Sequence, residues 1–234
     1  MDRAGKSKDW FKAGAARVAK VENNPLALAA KLELRENVLA EVAQAHVFDA
    51  FCGGGVGGAA MYRGVWAKAA SWVGCDGRPW DPRIDPPRFV ADNRRVLRCL
   101  DLQAFNVFDF DAFGSPWEQM LILAARRRWA PGELGAVVVT DGSNLQMRVG
   151  GIPRAIAQIV GMERLQGIPS ISIAHDLQQM ALRAWAPKAG VVPRRVWVAK
   201  GRHAAHNGKS GGADMLYMAM VFSGAEPPPA GSDA

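Results

Sequence analysis

The chain has 234 residues, 49% of them hydrophobic, with a formal net charge of +7 and a pI near 9.7. That is enough for one α/β domain with additions and a proper core, which excludes a disulfide-stapled miniprotein and a wholly disordered chain. The basic balance favours an anionic partner, nucleic acid ahead of an acidic membrane surface, and no apolar run is long enough to cross a bilayer.

Three cysteines (Cys52, Cys75 and Cys99) with no CxxC pair make no disulfide framework and suit a reducing cytoplasm. Met1 to Lys20 is basic but has no apolar h-region, so it does not read as a secretory signal. Helical spacing predicts a helix over Trp10 to Val21. A second follows the break at Asn23-Asn24-Pro25, from Leu26 to Ala45, with Leu28, Leu32, Leu39 and Val42 inward. Lys31, Glu33, Arg35, Glu36 and Glu41 form its expected wet face. Residues 1–45 thus read as an N-terminal helical extension, 46–224 as the main domain, and 225–234 as a Pro-rich disordered tail.

Strands are predicted at Val47–Phe51, Ser71–Cys75, Arg88–Ala91, Asn106–Phe110 and Gly135–Thr140. Helices are predicted between or after them at Val56–Ala70, Arg94–Leu102, Trp117–Trp129, Ile152–Leu165 and Leu177–Trp185. Arg195–Lys200 and Met215–Phe222 read as closing strands. The polar loop between them, Gly201 to Ala213, cannot be a crossover helix, so they form an antiparallel hairpin. The alternation gives an α/β fold, a mostly parallel sheet with helices on both faces.

The first strand ends in Asp49 and runs into five glycines within six residues, Gly53 to Gly58. Without Cβ atoms such a turn can approach a ligand closely. Gly53, Gly55 and Gly58 match G-x-G-x-x-G, and Asp76 lies where an acid holds a ribose in dinucleotide sites. Asp49, however, would repel a pyrophosphate and welcome a cationic group. S-adenosylmethionine carries a sulfonium and an amino group and no phosphate. Asp76 ends the second strand, suited to ribose hydroxyls, and Asp92 ends the third, suited to an adenine amine. Each could instead be a helix cap, and the glycines a turn without a ligand.

At the fourth strand end, Asp111-Ala112-Phe113-Gly114-Ser115-Pro116-Trp117 puts a carboxylate, an aromatic, a glycine and a rigid proline in one loop. A planar substrate could stack on Phe113 or Trp117 while Asp111 accepts a proton from an exocyclic amine. That help matters because a nucleobase amine has its lone pair delocalised into the ring. The same loop could be a simple turn with Pro at a helix start.

Val47-Phe48-Asp49-Ala50-Phe51-Cys52-Gly53-Gly54-Gly55 resembles the first motif of class I S-adenosylmethionine-dependent methyltransferases. Phe89 to Asn93, followed by Asn106 to Pro116, is similar in order and spacing to the tRNA (guanine-N2)-dimethyltransferases, whose fourth motif reads Asp-Pro-Phe/Tyr-Gly-Ser-Pro. Ala112 stands where that family has proline. The resemblance implies a Rossmann-like class I methyltransferase sheet. It implies that Asp49, Gly53 and Gly55 line the methionine part of the cofactor, Asp76 binds ribose and Asp92 adenine, with Phe51, Gly77 and Asn93 alongside. It implies Asp111 as the catalytic carboxylate, with Phe113, Gly114, Ser115 and Pro116 forming its loop.

The expected activity is methyl transfer to an exocyclic nitrogen of a base in nucleic acid, RNA guanine favoured and DNA the alternative. A dehydrogenase using NAD and a silent nucleic-acid-binding protein are the competitors. No metal is expected. His203 and His206, with Lys200, Arg202 and Lys209, read as a basic loop, either for phosphate contact or merely solvated. His175-Asp176 reads as a helix cap, Arg126 to Arg128 as a wet helix end, and Trp66, Trp72 and Trp80 as packing.

Overall fold

The computed structural model describes residues 25–53, 61–77, 88–112, 114–144, 146–147, 151–162, 171–202 and 214–226. The expected helix at Trp10–Val21 falls outside them, as do Gly55, Phe113, Trp80 and the stretch from His203 to Lys209.

Helix α1 (Pro25–Glu41) leads into β1 (His46–Asp49), the one-turn α2 (Arg63–Trp66) and β2 (Ser71–Asp76). Next come β3 (Arg88–Val90), α3 (Asn93–Cys99), β4 (Val107–Asp111), α4 (Trp117–Arg126) and β5 (Leu134–Asp141). Helices α5 (Arg154–Val160) and α6 (Ile171–Lys188) precede β6 (Val191–Arg202) and β7 (Asp214–Gly224). The seven strands form one sheet in the order β3-β2-β1-β4-β5-β7-β6. Strands β1 to β5 pair in parallel, while β7 runs antiparallel to both β5 and β6. The hairpin expected from the polar loop is therefore present, inserted beside β5.

Both faces of the sheet are covered, so its central strands, β1 after His46 and all of β4, are buried, and apolar except at Asp49, Asp109 and Asp111. Phe48, Phe108, Phe110, Val137 and Val139 pack with residues of α3, α4, α5 and α6 on one side. Val47, Val107, Ala136 and Val138 pack with Leu34 and Val38 of α1, with Val42 just after it, and with Tyr62 and Trp66 on the other. The three cysteines are free, Cys52 and Cys75 buried among these layers.

Several boundaries differ from the sequence reading. The helix expected to run to Ala70 ends at Trp66, where Ala67 to Ala70 turn into β2. Helix α3 stops at Cys99 because Asp101 caps a separate 3-10 turn at Leu102–Ala104. Helix α6 starts at Ile171, six residues before the expected Leu177, so His175 and Asp176 lie inside it rather than at its cap. The wet end at Arg126–Arg128 also needs correction. Arg127 is buried, its guanidinium 4.0 Å from the centre of the Trp129 ring and paired with Glu133.

The largest correction concerns α1. Its buried side is Ala27, Lys31, Leu34, Arg35 and Val38, so two of the five residues expected in water, Lys31 and Arg35, are in the interior. Leu28, Leu32 and Leu39 are only half-buried. The helix is rotated to deliver two cations to the sheet.

Candidate active site

A cavity of about 300 Å³ opens at the carboxyl ends of β1, β2 and β3. Its walls are Ala50, Phe51, Asp76, Gly77, Ala91, Asp92, Asn93, Arg94 and Gln119. Five of the sequence-predicted residues (Phe51, Asp76, Gly77, Asp92 and Asn93) thus meet in one place, where open parallel sheets bind ligands.

Local chemistry fixes each wall. Gly53 N–H donates to Asp76 Oδ2 at 3.1 Å. A Cβ on Gly53 would lie 2.4 Å from that same oxygen, so only glycine lets the turn come this close. Asp92 caps α3 by accepting from Arg94 N–H, and the Arg94 guanidinium folds back on it at 2.7 Å and onto Glu118 at 3.1 Å. That hydrogen bonding, against a small opposing effect of burial, holds the Asp92 carboxyl below its ordinary range. The cap and the cavity wall are one residue here. Asn93 Nδ2 donates to the Ala50 carbonyl, and Gln119 Nε2 donates to Asn93 Oδ1, a chain of amides tying α4 to the end of β1. Gln119 carried no signal in the sequence, since nothing local to it marks a glutamine in an amphipathic helix.

Asp49 immediately precedes the cavity wall at Ala50 and is fully buried. Its Oδ1 accepts from Phe51 N–H, while Oδ2 has no hydrogen-bond partner among the described residues. Burial, reinforced by the neighbouring Asp109 carboxylate, pushes its carboxyl well above the usual range despite Arg35.

Strand β4 carries two further buried acids on the α1 side. Arg35 forks onto Asp109 at 2.6 and 2.7 Å, and Trp66 Nε1 donates to Asp109 Oδ2 at 3.0 Å. Lys31 Nζ lies 2.8 Å from Asp111 Oδ1 and 3.1 Å from Oδ2, and the Tyr62 hydroxyl donates to Oδ2. Burial raises the Asp111 carboxyl, but Lys31 and Arg35 outweigh it and hold it down at about 2. Burial keeps the Tyr62 phenol neutral, so it can only donate here. Lys31, Arg35, Tyr62, Trp66 and Asp109 all escaped the sequence reading. The available signal was Asp109 and Asp111 within an apolar strand, since buried charges are paired.

The loop after Asp111 leads directly into α4. Gly114 O accepts from Gly142 N–H at 2.9 Å, tying the loop to the end of β5. Ser115 is half-buried and Pro116 buried at the start of α4, without a side-chain cap. A Cβ on Gly114 would touch nothing. Beyond it, Asp141 accepts from Trp117 Nε1 and Ser143 N–H, and His175 Nε2 lies 3.0 Å from Asn144 Nδ2. Among the described residues, no group of three or more His, Cys, Asp or Glu is arranged to hold a metal, and no helix is long and apolar enough to cross a membrane.

No family model matches the chain, and comparison with curated sequences gives no significant match. Solved structures do match. Trm1 from Pyrococcus horikoshii, in complex with S-adenosyl-L-methionine, superposes with a TM-score of 0.50 at 14% identity over 87% of this chain. The fold is that of a class I methyltransferase. The chain spans 57% of the length of that Trm1. M. jannaschii TYW2 in complex with AdoMet gives a TM-score of 0.49 at 12% identity, over 88% of this chain and 80% of its own.

Proposed function

We propose that this chain is a methyltransferase that takes S-adenosyl-L-methionine and methylates an exocyclic nitrogen of a nucleobase in RNA, with guanine the favoured base. The observation that carries this reading is the meeting of Phe51, Asp76 and Asp92 in one cavity, with the Gly53 N–H held on Asp76. The α4 wall of that cavity begins immediately after the Asp111–Pro116 loop. The same fold holds S-adenosyl-L-methionine in the Trm1 of P. horikoshii.

The residues fit such a cofactor. The orphaned, buried Asp49 Oδ2 is suited to a cationic group, and Asp76 and Asp92 offer acceptors to ribose and adenine. They do not fit a pyrophosphate. Among the described residues that line the cavity, the cation is Arg94, already engaged by Asp92 and Glu118, which leaves carboxylates facing the space. When bound, the sulfonium supplies an electrophilic methyl group. The role of this chain is to orient the incoming amine, whose N–H donates to Asp111 and to backbone carbonyls of the loop. A carboxyl held at about 2 is a weak base, so the proton released as the N–C bond forms passes to water rather than to Asp111. Positioning then supplies most of the rate.

The test has two stages. Calorimetry should show binding of S-adenosylmethionine and S-adenosylhomocysteine but not NAD, and binding of NAD alone overturns the reading. Methylation of total RNA and genomic DNA, followed by nucleoside mass spectrometry, should then yield N2-methylguanosine from RNA. A methylated DNA base instead selects the alternative substrate, and cofactor binding without any methylated base selects a silent binder. Asp111→Ala should retain cofactor affinity and lose transfer.

A further inference from the structure

Lys31 has no place in the sequence motifs, yet it touches the residue on which they converge. Nζ is 2.8 and 3.1 Å from the two oxygens of Asp111, both side chains being 6% exposed. The donors around that carboxylate come from three elements: Lys31 from α1, Tyr62 from the turn before α2, and Thr140 from β5. Among the described residues, the other charged or titratable groups on this face include Arg35, one turn further along α1, Asp109 on β4, Asp49 on β1 with Cys52 beside it, and Tyr217 on β7. The Tyr217 ring centre lies 5.3 Å from Lys31 Nζ, and Arg35 is already spent on Asp109. Lys31 is therefore the cation assigned to Asp111.

A fold that needed only stability would do as well with an apolar pair. Replacing a buried ion pair by well-packed hydrophobic residues is often neutral or stabilising. Here the pair occupies the last residue of β4, one step before the loop that leads into α4. Lys31 and Tyr62 both donate to Oδ2 and the Lys31 charge also lies against Oδ1, which fixes the plane of the carboxylate. Oδ1 itself accepts no hydrogen bond among the described residues, which suits it to one N–H donor.

We propose that Lys31 is a positioning residue that, together with Tyr62, fixes Asp111 as an oriented carboxylate for the target amine. Helix α1 is then part of the active site rather than an appendage. The inference rests on the reading that Asp111 meets the amine. Its signature is in pH. An opposite charge at this distance lowers a carboxyl by about 1–3 pH units. Removing it returns Asp111 to the neutral form at mildly acidic pH, where the carboxylic acid no longer offers the same acceptor.

The experiment measures methyl transfer to total RNA at saturating S-adenosylmethionine across pH for the wild type, Lys31→Met, Lys31→Arg and Tyr62→Phe. Activity is expressed as the ratio of variant to wild type, so that titration of Asp49 cancels. Lys31→Met should show an acid limb shifted up by about one pH unit or more, with activity recovering as pH rises. Lys31→Arg should keep the limb at the wild-type position even where turnover falls. Tyr62→Phe should shift it in the same direction by less. A Lys31→Met ratio that is flat with pH, however low, overturns the proposal by reducing Lys31 to a structural part. If Lys31→Met does not fold, Tyr62→Phe decides, and an unmoved limb there overturns it equally. A wild type that binds cofactor but transfers no methyl group at any pH overturns the functional reading instead, a distinct result.

Discussion

Asp49 and Asp111 end adjacent parallel strands on the same face of the sheet, and both are buried. Yet burial pushes the first carboxyl well above its usual range, while the second is held at about 2. Desolvation acts upward on both, so it cannot be the difference. What differs is the supply of cations. Helix α1 aims Lys31 at Asp111 and Arg35 at Asp109, while among the described residues Asp49 receives only the Phe51 N–H and keeps Oδ2 without a partner. Three acids share two cations, and the acid without a direct cation partner among the described residues is Asp49, next in the chain to the cavity wall at Ala50. Among the described residues, the chain supplies cations to the acids of β4 and none directly to the acid of β1.

Removing Arg35 breaks this comparison most severely. Arg35→Met leaves Asp109 buried with only the Trp66 indole N–H. Loss of one partner of a buried pair costs about 3–5 kcal/mol, a large part of the roughly 5–15 kcal/mol that holds a domain together. Urea unfolding should show that loss, and Arg35→Met with Asp109→Leu should recover most of it. A loss below about 1 kcal/mol means that another cation reaches Asp109, and the contrast between the strands then needs a different explanation.

The contrast also shows what a sequence can display. Short apolar strands, a polar loop that precludes a crossover and acids at strand ends are local signals. From them came the sheet, its antiparallel hairpin and five residues of the cavity wall. The partners of those acids are not local. Lys31 lies 80 residues from Asp111, and Arg35 74 residues from Asp109. On α1 they interrupt the apolar stripe, so periodicity assigns them to water. Only the requirement that Asp109 and Asp111 be neutralised inside an apolar strand could have turned the helix by that fraction of a turn. Gln119 is hidden for the same reason, since it gains meaning through Asn93 and Ala50 rather than from its neighbours in α4.

Asp49→Asn sharpens the comparison. In the folded chain burial pushes the Asp49 carboxyl well above its usual range, while in the unfolded chain the carboxyl ionises near pH 4. Above about pH 4 the unfolded state has lost a proton that the folded state retains, so this group lowers stability as pH rises. Asp111 has the opposite sign: its contribution is present above about pH 4 and disappears as pH falls towards about 2. Asn mimics the protonated acid. Asp49→Asn should therefore raise the thermal midpoint at pH 7 by a few degrees, the scale that about 1 kcal/mol has in a domain of this size. It should also weaken S-adenosylmethionine binding and abolish the proton released when that cofactor binds, read from calorimetric heats in buffers of different ionisation enthalpy. A midpoint that falls at pH 7, or proton release that persists, would show Asp49 to be ionised in the free protein.

The smallest effect is expected at a residue that touches neither carboxylate. Asp111 lies in register with Thr140, then Tyr217, then Ala199, which puts the exposed Lys200 one step further towards the same edge of the sheet. Three strand spacings amount to about 15 Å, within reach of phosphates flanking a base held at Asp111. Under the proposed reading Lys200 meets RNA backbone, and neutralising one such contact lowers the slope of log affinity against log salt by up to about 1. Lys200→Gln should weaken binding to RNAs of any sequence by the same modest factor. Cofactor affinity and the rate at saturating RNA should be unchanged, because neither strand-end acid is disturbed. An unchanged salt slope removes Lys200 from the RNA path, whereas a fall in the saturated rate would mean that this edge helps to orient the base, extending the site from β4 across to β6.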